Sequence, residues 1–318
     1  MMNELLGLYT DHQMTGPLGI AQLSEKIKPL ARDFGRSGCL LVATCARVEI
    51  YGEERAVRDV SRTVFSGFSC ERVEGAGAIT QRLAEIASGA HSQILGESYI
   101  SQQLAKATES LSPDIPIFQI ARWAIDAGRV VRERQQFIAS FNYDQIVRDI
   151  VADRFPSGES GDCLYIIGAG MLGRGLIRSG LGKHFSSTVI VTRNPKNLRK
   201  RLRSSADMKP ALLRPNEIGY APEPRSVVVV ATGDVNDEYQ ATLQGALLRL
   251  KPRTILDLSS IPVFSNAAVG DLNYVSMYHQ EFLRFIKQNN QQLAPKLPLV
   301  VSDIRAAIQR AQIDIRPK

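Results

Sequence analysis

Apolar positions fall in three successive rhythms along this chain of 318 residues. The first is short and strand-like. LLGLY (5–9) predicts a strand, IAQLSEKIKPLARDF (20–34) a helix, and CLLVAT (39–44) and VEIYG (48–52) two strands flanking Cys45. A helix over 57–65 completes a βαββα order, which suits a small α+β sandwich. From Ala78 the rhythm lengthens. Ile100, Leu104, Ala107 and Leu111 recur at spacings of four, three and four, one face of an amphipathic helix. Further helices are predicted over 117–136 and 144–154, and then PSGESGD (156–162) reads as a linker.

Beyond it the pattern alternates. CLYIIGAG (163–170), STVIVTR (187–193), SVVVVAT (226–232) and TILDLSS (254–260) are short apolar runs separated by helix-length segments. Runs of that kind are strands buried on both faces of a parallel, doubly wound sheet. After Asp271 the chain turns helical through MYHQEFLRFIKQNN, is interrupted by Pro295 and Pro298, and then forms a last short helix, SDIRAAIQRAQ. The expected fold is therefore α/β: an N-terminal α+β catalytic domain with a helical extension (1–155), a Rossmann-type doubly wound NADP-binding domain (156–273) and a C-terminal helical tail (274–318).

Gly168-Ala-Gly170-Met-Leu-Gly173 is a GxGxxG placed directly after a strand and opening a helix, the context that gives the motif meaning. Gly168 allows the tight turn, Gly170 lets a pyrophosphate approach the backbone, and Gly173 permits close helix–strand packing. The second strand runs into Thr192, Arg193 and Asn194, where an NAD site would place an acid for the ribose 2′-hydroxyl. Thr and Arg suit a 2′-phosphate, so the expected cofactor is NADPH, with Thr232 beside it at a strand's carboxyl end. A bound hydride donor calls for an acceptor, and a thioester on Cys45 would serve. Cys45, Arg47 and Glu49 share a face if the segment is extended, and a nearby Arg47 favours the thiolate. Free cysteines are also commonly small buried hydrophobes, and the residues alone leave both readings open.

Composition changes the picture little. Hydrophobic content is 44% and charged content 22%, ordinary for a soluble protein, and no apolar run approaches the roughly 20 residues of a membrane span. MMNELLGLYTDHQ has no basic region leading into an apolar core. The cysteines at 39, 45, 70 and 163 show neither CxxC pairing nor metal-ligand spacing. A cytoplasmic protein with reduced thiols and no metal is expected. The net charge of +7 points mildly to a polyanion. Arg122, Arg129 and Arg132 fall near one helix face, and Arg193, Lys196, Arg199, Lys200, Arg201 and Arg203 cluster after a strand. Solvated helix faces explain either cluster equally well.

At the level of motifs the chain resembles the glutamyl-tRNA reductases. Their STCNRxE signature is similar to Ala43-Thr44-Cys45-Ala46-Arg47-Val48-Glu49, and their ASGLDSxxLGExQI to Ala87-Ser88-Gly89-Ala90-His91-Ser92-Gln93-Ile94-Leu95-Gly96-Glu97-Ser98-Tyr99-Ile100. Gln103 falls on a family glutamine, Asp11-His12-Gln13 resembles the family's NHK, and ILDLSSIP its DIAVPR. The resemblance runs over about residues 4–293. It implies that Cys45 attacks an aminoacyl-tRNA ester, that NADPH reduces the resulting thioester to an α-amino aldehyde for tetrapyrrole synthesis, and that Thr44, Arg47, Ser92, Glu97 and Gln103 line the substrate pocket.

Departures accompany it. Arg82 stands at the family's histidine, leaving His91, in place of an aspartate, as the candidate acid/base. Ala46 replaces an asparagine, and the RTETxIG stretch keeps only Arg132 clearly. The chain stops about 100 residues short of the family's dimerisation domain, which leaves the oligomeric state open. Two rivals stand beside an aminoacyl-tRNA reductase contacting tRNA through Arg122, Arg129 and Arg132. One is a reductase of small or carrier-bound thioesters; the other is a catalytically degenerate regulatory homologue.

Overall fold

A computed structural model describes residues 4–141, 143–154, 162–202, 210–220, 222–233, 237–264 and 272–311. The chain divides into two compact units, Met1–Ser140 with Ile286–Lys318, and Phe141–Phe285.

The first unit opens with β1 (Leu5–Asp11), α1 (His12–Thr15), α2 (Pro17–Ile27), α3 (Ala31–Arg36), β2 (Leu40–Thr44), β3 (Arg47–Glu53), α4 (Glu54–Val64) and β4 (Glu71–Glu74). α5 (Ala76–Ser88), α6 (Tyr99–Thr108) and α7 (Pro116–Arg134) follow. The four strands form an antiparallel sheet in the order β2-β3-β1-β4. Strand alternation gives the sheet two apolar faces. Leu6, Leu8, Leu41, Val48 and Ile50 share a core with Ile20, Leu23, Phe34 and Val57, while Leu40, Val42 and Tyr51 share another with Leu83, Ile86, Ala121 and Ile125. The single helix expected over 20–34 is broken. Lys28–Leu30 winds as a 3₁₀ turn, because Pro29 has no N–H to give an α-helical ladder. β4 escaped the hydrophobic pattern because ERVE is an exposed edge strand with almost no apolar signal.

The second unit contains α8 (Tyr143–Arg154), β5 (Cys163–Ile167), α9 (Met171–Arg178), β6 (Ser187–Val191), α10 (Pro195–Leu202) and β7 (Ala211–Leu213). It continues with β8 (Ser226–Val230), α11 (Asp237–Leu250), β9 (Thr254–Asp257) and β10 (Tyr274–Ser276). Its six strands are parallel in the order β10-β9-β8-β5-β6-β7. This is the doubly wound arrangement, and the order reverses between β5 and β8, where such sheets bind dinucleotides.

The last helices are α12 (Gln280–Leu293) and α13 (Leu297–Ala311). The expected boundaries shift accordingly. The linker lies almost wholly outside the described residues, α8 belongs to the second unit, and α13 belongs to the first. The tail has no core of its own. Val300, Ile304 and Ile308, at helical spacing, are buried in the core that α5 and α7 build. Among the described residues, no helix is long and apolar enough to cross a membrane.

Candidate functional site

Cys45 occupies the tip of the β2–β3 hairpin, since Thr44 pairs with Arg47 and only Cys45 and Ala46 lie between the strands. Tight two-residue hairpin loops usually take φ > 0 residues such as Asn-Gly. Neither Cys45 nor Ala46 has a positive φ, and the loop is tied in other ways. Thr44 Oγ1 accepts the Ala46 N–H at 3.2 Å, and the Ala46 carbonyl accepts the His12 N–H at 2.9 Å. Asp11 in turn caps α1, accepting the N–H groups of Gln13 and Met14. The DHQ segment therefore supports the hairpin from below.

This placement corrects the expectation that Cys45, Arg47 and Glu49 alternate along one strand face, because a turn residue stands outside that alternation. Cys45 is exposed, unlike a buried hydrophobe. Its thiol is nevertheless hemmed in by protein: burial pushes it up to about 11, Glu97 adds to the rise, and Lys28 and Arg47 pull against it. Arg47 thus acts in the expected direction without producing a resting thiolate.

Arg47 itself is 1% exposed. Its guanidinium donates to Glu49 Oε1 at 3.4 Å and to the His91 carbonyl, while its buried Nε has no partner among the described residues. Glu49 is the hub. Arg82 grips it with two hydrogen bonds of 2.8 and 2.9 Å, and the Tyr51 hydroxyl donates to Oε2. Burial would push the Glu49 carboxyl up, but Arg82 and Arg47 hold it below its ordinary value. Arg82 also lies 3.2 Å over the centre of the Tyr9 ring. The residue standing at the family's histidine is therefore a structural cation, committed to Glu49.

His91 places Nε2 2.7 Å from Glu85 Oε2, and Gln81 donates to Glu85 Oε1 at 2.7 Å. Burial pushes the Glu85 carboxyl up, yet the hydrogen bonds from His91 and Gln81 bring it below the usual range. An ionised carboxylate only accepts, so the proton of that bond sits on His91 Nε2 and a neutral ring presents Nδ1 as its base. The imidazole lies in a shallow depression lined by Arg72, Gln81, Arg82 and Glu85 among others. The Ser92 hydroxyl is buried without a hydrogen bond of good geometry, though close enough to Glu97 to draw its carboxyl down. Burial prevails there and raises Glu97 above its usual value. Glu97 is half-buried and lies ahead of α6, not on a solvent-facing helix; Gln103 is half-buried on α6, which packs against β2. Lys28, Glu85 and Tyr51 carried no motif and escaped the reading of the sequence.

In the second unit, Gly168 has φ 108°, and a Cβ there would meet the Ala231 carbonyl oxygen at 2.5 Å. A Cβ on Gly173 would strike the Gly168 carbonyl, whereas a Cβ on Gly170 faces open space. The glycines at 168 and 173 thus keep the turn and helix tight, and the one at 170 leaves a bare cradle at the start of α9, with helix N–H groups suited to phosphate. The residues present fit a dinucleotide. Thr192 and Asn194 shape the turn after β6, with the Asn194 N–H 3.4 Å from Thr192 Oγ1, and Arg193 is exposed beside them. Lys196, Arg199 and Lys200 are exposed on α10, while Arg203 and the Arg201 side chain fall outside the described structure. On α7, Arg122 is exposed, but Arg132 is half-buried with its Nη1 unpartnered.

A sequence model for the N-terminal domain of glutamyl-tRNAGlu reductase matches residues 18–115, the stretch holding Cys45, Glu49, Arg82 and Glu97. The chain is 56% identical over 310 residues to Protein nfe2 of Rhizobium meliloti, covering 98% of this chain and 100% of that one. It is 24% identical over 175 residues to glutamyl-tRNA reductase of Methanopyrus kandleri, covering 53% of this chain and 43% of that one. To glutamyl-tRNA reductase of Flavobacterium psychrophilum it is 27% identical over 302 residues, covering 86% and 68%. The solved glutamyl-tRNA reductase from Methanopyrus kandleri aligns with a TM-score of 0.47 and 17% identity, over 98% of this chain and 81% of that one. With its signature cysteine at the tip of a tethered hairpin and a dinucleotide cradle in its second unit, the chain belongs to the glutamyl-tRNA reductase family, as a divergent member.

Proposed function

We propose that the protein is an oxidoreductase that reduces an aminoacyl group delivered on tRNA, glutamyl-tRNA first among candidates, through a thioester on Cys45. The observation that carries this reading is the exposed thiol at the β2–β3 tip, within reach of the charges of Glu97, Lys28 and Arg47. The thiol must lose its proton to attack. With its pKa near 11, a general base has to take that proton as the sulfur–carbonyl bond forms. His91 is the proposed base, oriented by Glu85, and it returns the proton to the departing ribose oxygen. Arg47, Ser92, Glu97 and Gln103 orient the aminoacyl group. Gly168, Gly170 and Gly173, with Thr192, Arg193, Asn194 and Thr232 around them, would hold NADPH, which would supply the hydride for reduction of the thioester to the aldehyde, with Cys45 leaving as its thiolate. The resemblance extends this reading to tetrapyrrole synthesis in the cytoplasm.

The raised thiol pKa and the commitment of Arg82 to Glu49 favour a second reading, a nucleotide-binding regulator without turnover. Intact-protein mass after mixing with a panel of charged tRNAs, without NADPH, separates the two. One aminoacyl mass gained by wild type, absent from Cys45→Ser and discharged on adding NADPH, is the expected result. No adduct with any charged tRNA, on protein that binds NADPH, would leave the regulator and the reductase of small or carrier-bound thioesters.

A further inference from the structure

The stretch between α5 and α6 carries Ser92 and Glu97 and has no regular secondary structure, so its buried backbone groups need partners from elsewhere. They find them on α12, in the same unit. Asn290 Oδ1 accepts the Leu95 N–H at 3.0 Å, and Asn290 Nδ2 donates to the Gln93 carbonyl at 2.9 Å. Asn289 Nδ2 donates to the Leu95 carbonyl at 3.0 Å and to Asn290 Oδ1 at 3.1 Å, while its Oδ1 accepts the Ser140 N–H at 2.8 Å. Both backbone groups of Leu95 are thus held by neighbouring side chains of one helix. Their partners fix both amides, since a reversed Asn290 would set its NH2 against the Leu95 N–H and its oxygen against the Gln93 carbonyl. From the other side the Ala139 N–H donates to the Gly96 carbonyl at 3.2 Å, and a Cβ on Gly96 would meet the Phe137 carbonyl oxygen at 2.7 Å. Asn289 is fully buried. The pair closes MYHQEFLRFIKQNN, a stretch that no motif covers and no step of the proposed reaction uses.

We propose that Asn289 and Asn290 are positioning residues: by clamping both backbone groups of Leu95 they hold the Glu97 carboxyl within electrostatic reach of the Cys45 sulfur, and so restrain that nucleophile at rest. The charged groups that act on the sulfur come from three places: Glu97 from this loop, Lys28 from the 3₁₀ turn after α2, and Arg47 from β3. Of the three, Glu97 alone disfavours the thiolate. A like charge acts on a titrating group through its distance. An unclamped loop would spread the carboxyl over many positions and lose part of that effect, whereas the clamp sets it before substrate binds. The role differs from general support of the fold because it runs through a single charge. This inference deepens the Cys45 reading above and rests on it for the choice of nucleophile.

The test is the rate of iodoacetamide labelling at Cys45 in the full-length protein, at about pH 9 where the thiolate is a minor fraction. Wild type, Asn290→Ala, Glu97→Gln and the double variant are compared by peptide mass spectrometry. Asn290→Ala removes both bonds from Asn290 to the loop and is expected to speed labelling roughly two- to fivefold as the thiolate fraction grows. In the Glu97→Gln background the same change should leave the rate within about 1.5-fold, because the charge it acts through is gone. Asn290→Ser, which keeps a small polar side chain on α12, takes the place of the alanine variant if that one does not fold, with the same direction expected. Equal acceleration with and without Glu97 would show that a loosened loop merely opens the site, and would overturn the role. An unchanged rate in a folded variant at Asn290 would overturn it as well. Labelling uses neither tRNA nor NADPH, so the two readings fail separately: absence of an aminoacyl adduct overturns the reductase, and these labelling outcomes overturn the clamp.

Discussion

Cys45 combines two properties that seldom coincide: its side chain is open to solvent, and its thiol is held up near 11. Burial is the main cause, and Glu97 reinforces it while Lys28 and Arg47 oppose it. Below that pKa the thiolate fraction rises about tenfold per pH unit, and alkylation follows the thiolate. The rate of iodoacetamide labelling at Cys45, followed by peptide mass spectrometry, should therefore climb about tenfold per unit from pH 7 to about pH 10. Glu97→Gln should speed labelling at any pH in that window, and Lys28→Met should slow it. A labelling rate already level at pH 8 would mean that the thiol is activated at rest. The importance of Cys45 was legible in the ATCARVE pattern, but its protonation was not. Lys28 lies seventeen positions earlier, and Glu97 reaches the thiol only after α5 and the following turn have folded back.

At the level of elements, the β2–β3 hairpin and α5 are joined by the Glu49 hub. Removing one partner of a buried charge network leaves the others uncompensated, at a cost of about 3–5 kcal/mol. Glu49→Gln, which strands Arg82 and Arg47, should lower unfolding free energy by that order in denaturant titrations at neutral pH. The pH dependence has a definite sign. Because the folded-state pKa of Glu49 is depressed, its carboxylate contributes stability that is complete above the unfolded value near 4.3 and is lost as pH falls through the folded value. The gap between wild type and Glu49→Gln should narrow on acidification below about pH 4; a gap independent of pH would assign the loss to packing. A second element, the β5–α9 turn, was readable outright, since GAGMLG follows an apolar strand. Gly173→Ala pushes a methyl into the Gly168 carbonyl and should abolish nucleotide binding by calorimetry while the Cys45 labelling profile stays as in wild type. Apolar rhythm found the buried strands; it missed β4, β7 and β10, which are short and lie at or beside sheet edges where few apolar positions are needed.

At the scale of the whole molecule, the chain's two units were foreshadowed by the change from helical to alternating rhythm, but their composition was not. A boundary is read where the sequence turns polar, whereas α13 joins the first unit through three apolar positions whose partners lie far away in sequence. Net charge poses a similar problem of distribution. The excess of +7 is spread over the chain, and only the folded form shows which cations are free to meet a polyanion. On α7, Arg122 is exposed, with Asp126 also exposed on the next turn, whereas burial and the neighbouring Arg129 together lower the pKa of Arg132. The proposed tRNA substrate makes α7 the helix to test. Each phosphate contact contributes about 0.7–0.9 to the slope of log affinity against log salt. Arg122→Gln with Arg129→Gln should therefore flatten that slope by roughly 1.4–1.8 and weaken tRNA binding at low salt, with NADPH affinity unchanged. Arg132→Gln should show itself chiefly as altered stability, because its guanidinium is partly withdrawn from solvent. An unchanged slope in the double variant would make α7 an ordinary solvated face, and the anion partner would have to be sought along α10, where Lys196, Arg199 and Lys200 stand exposed.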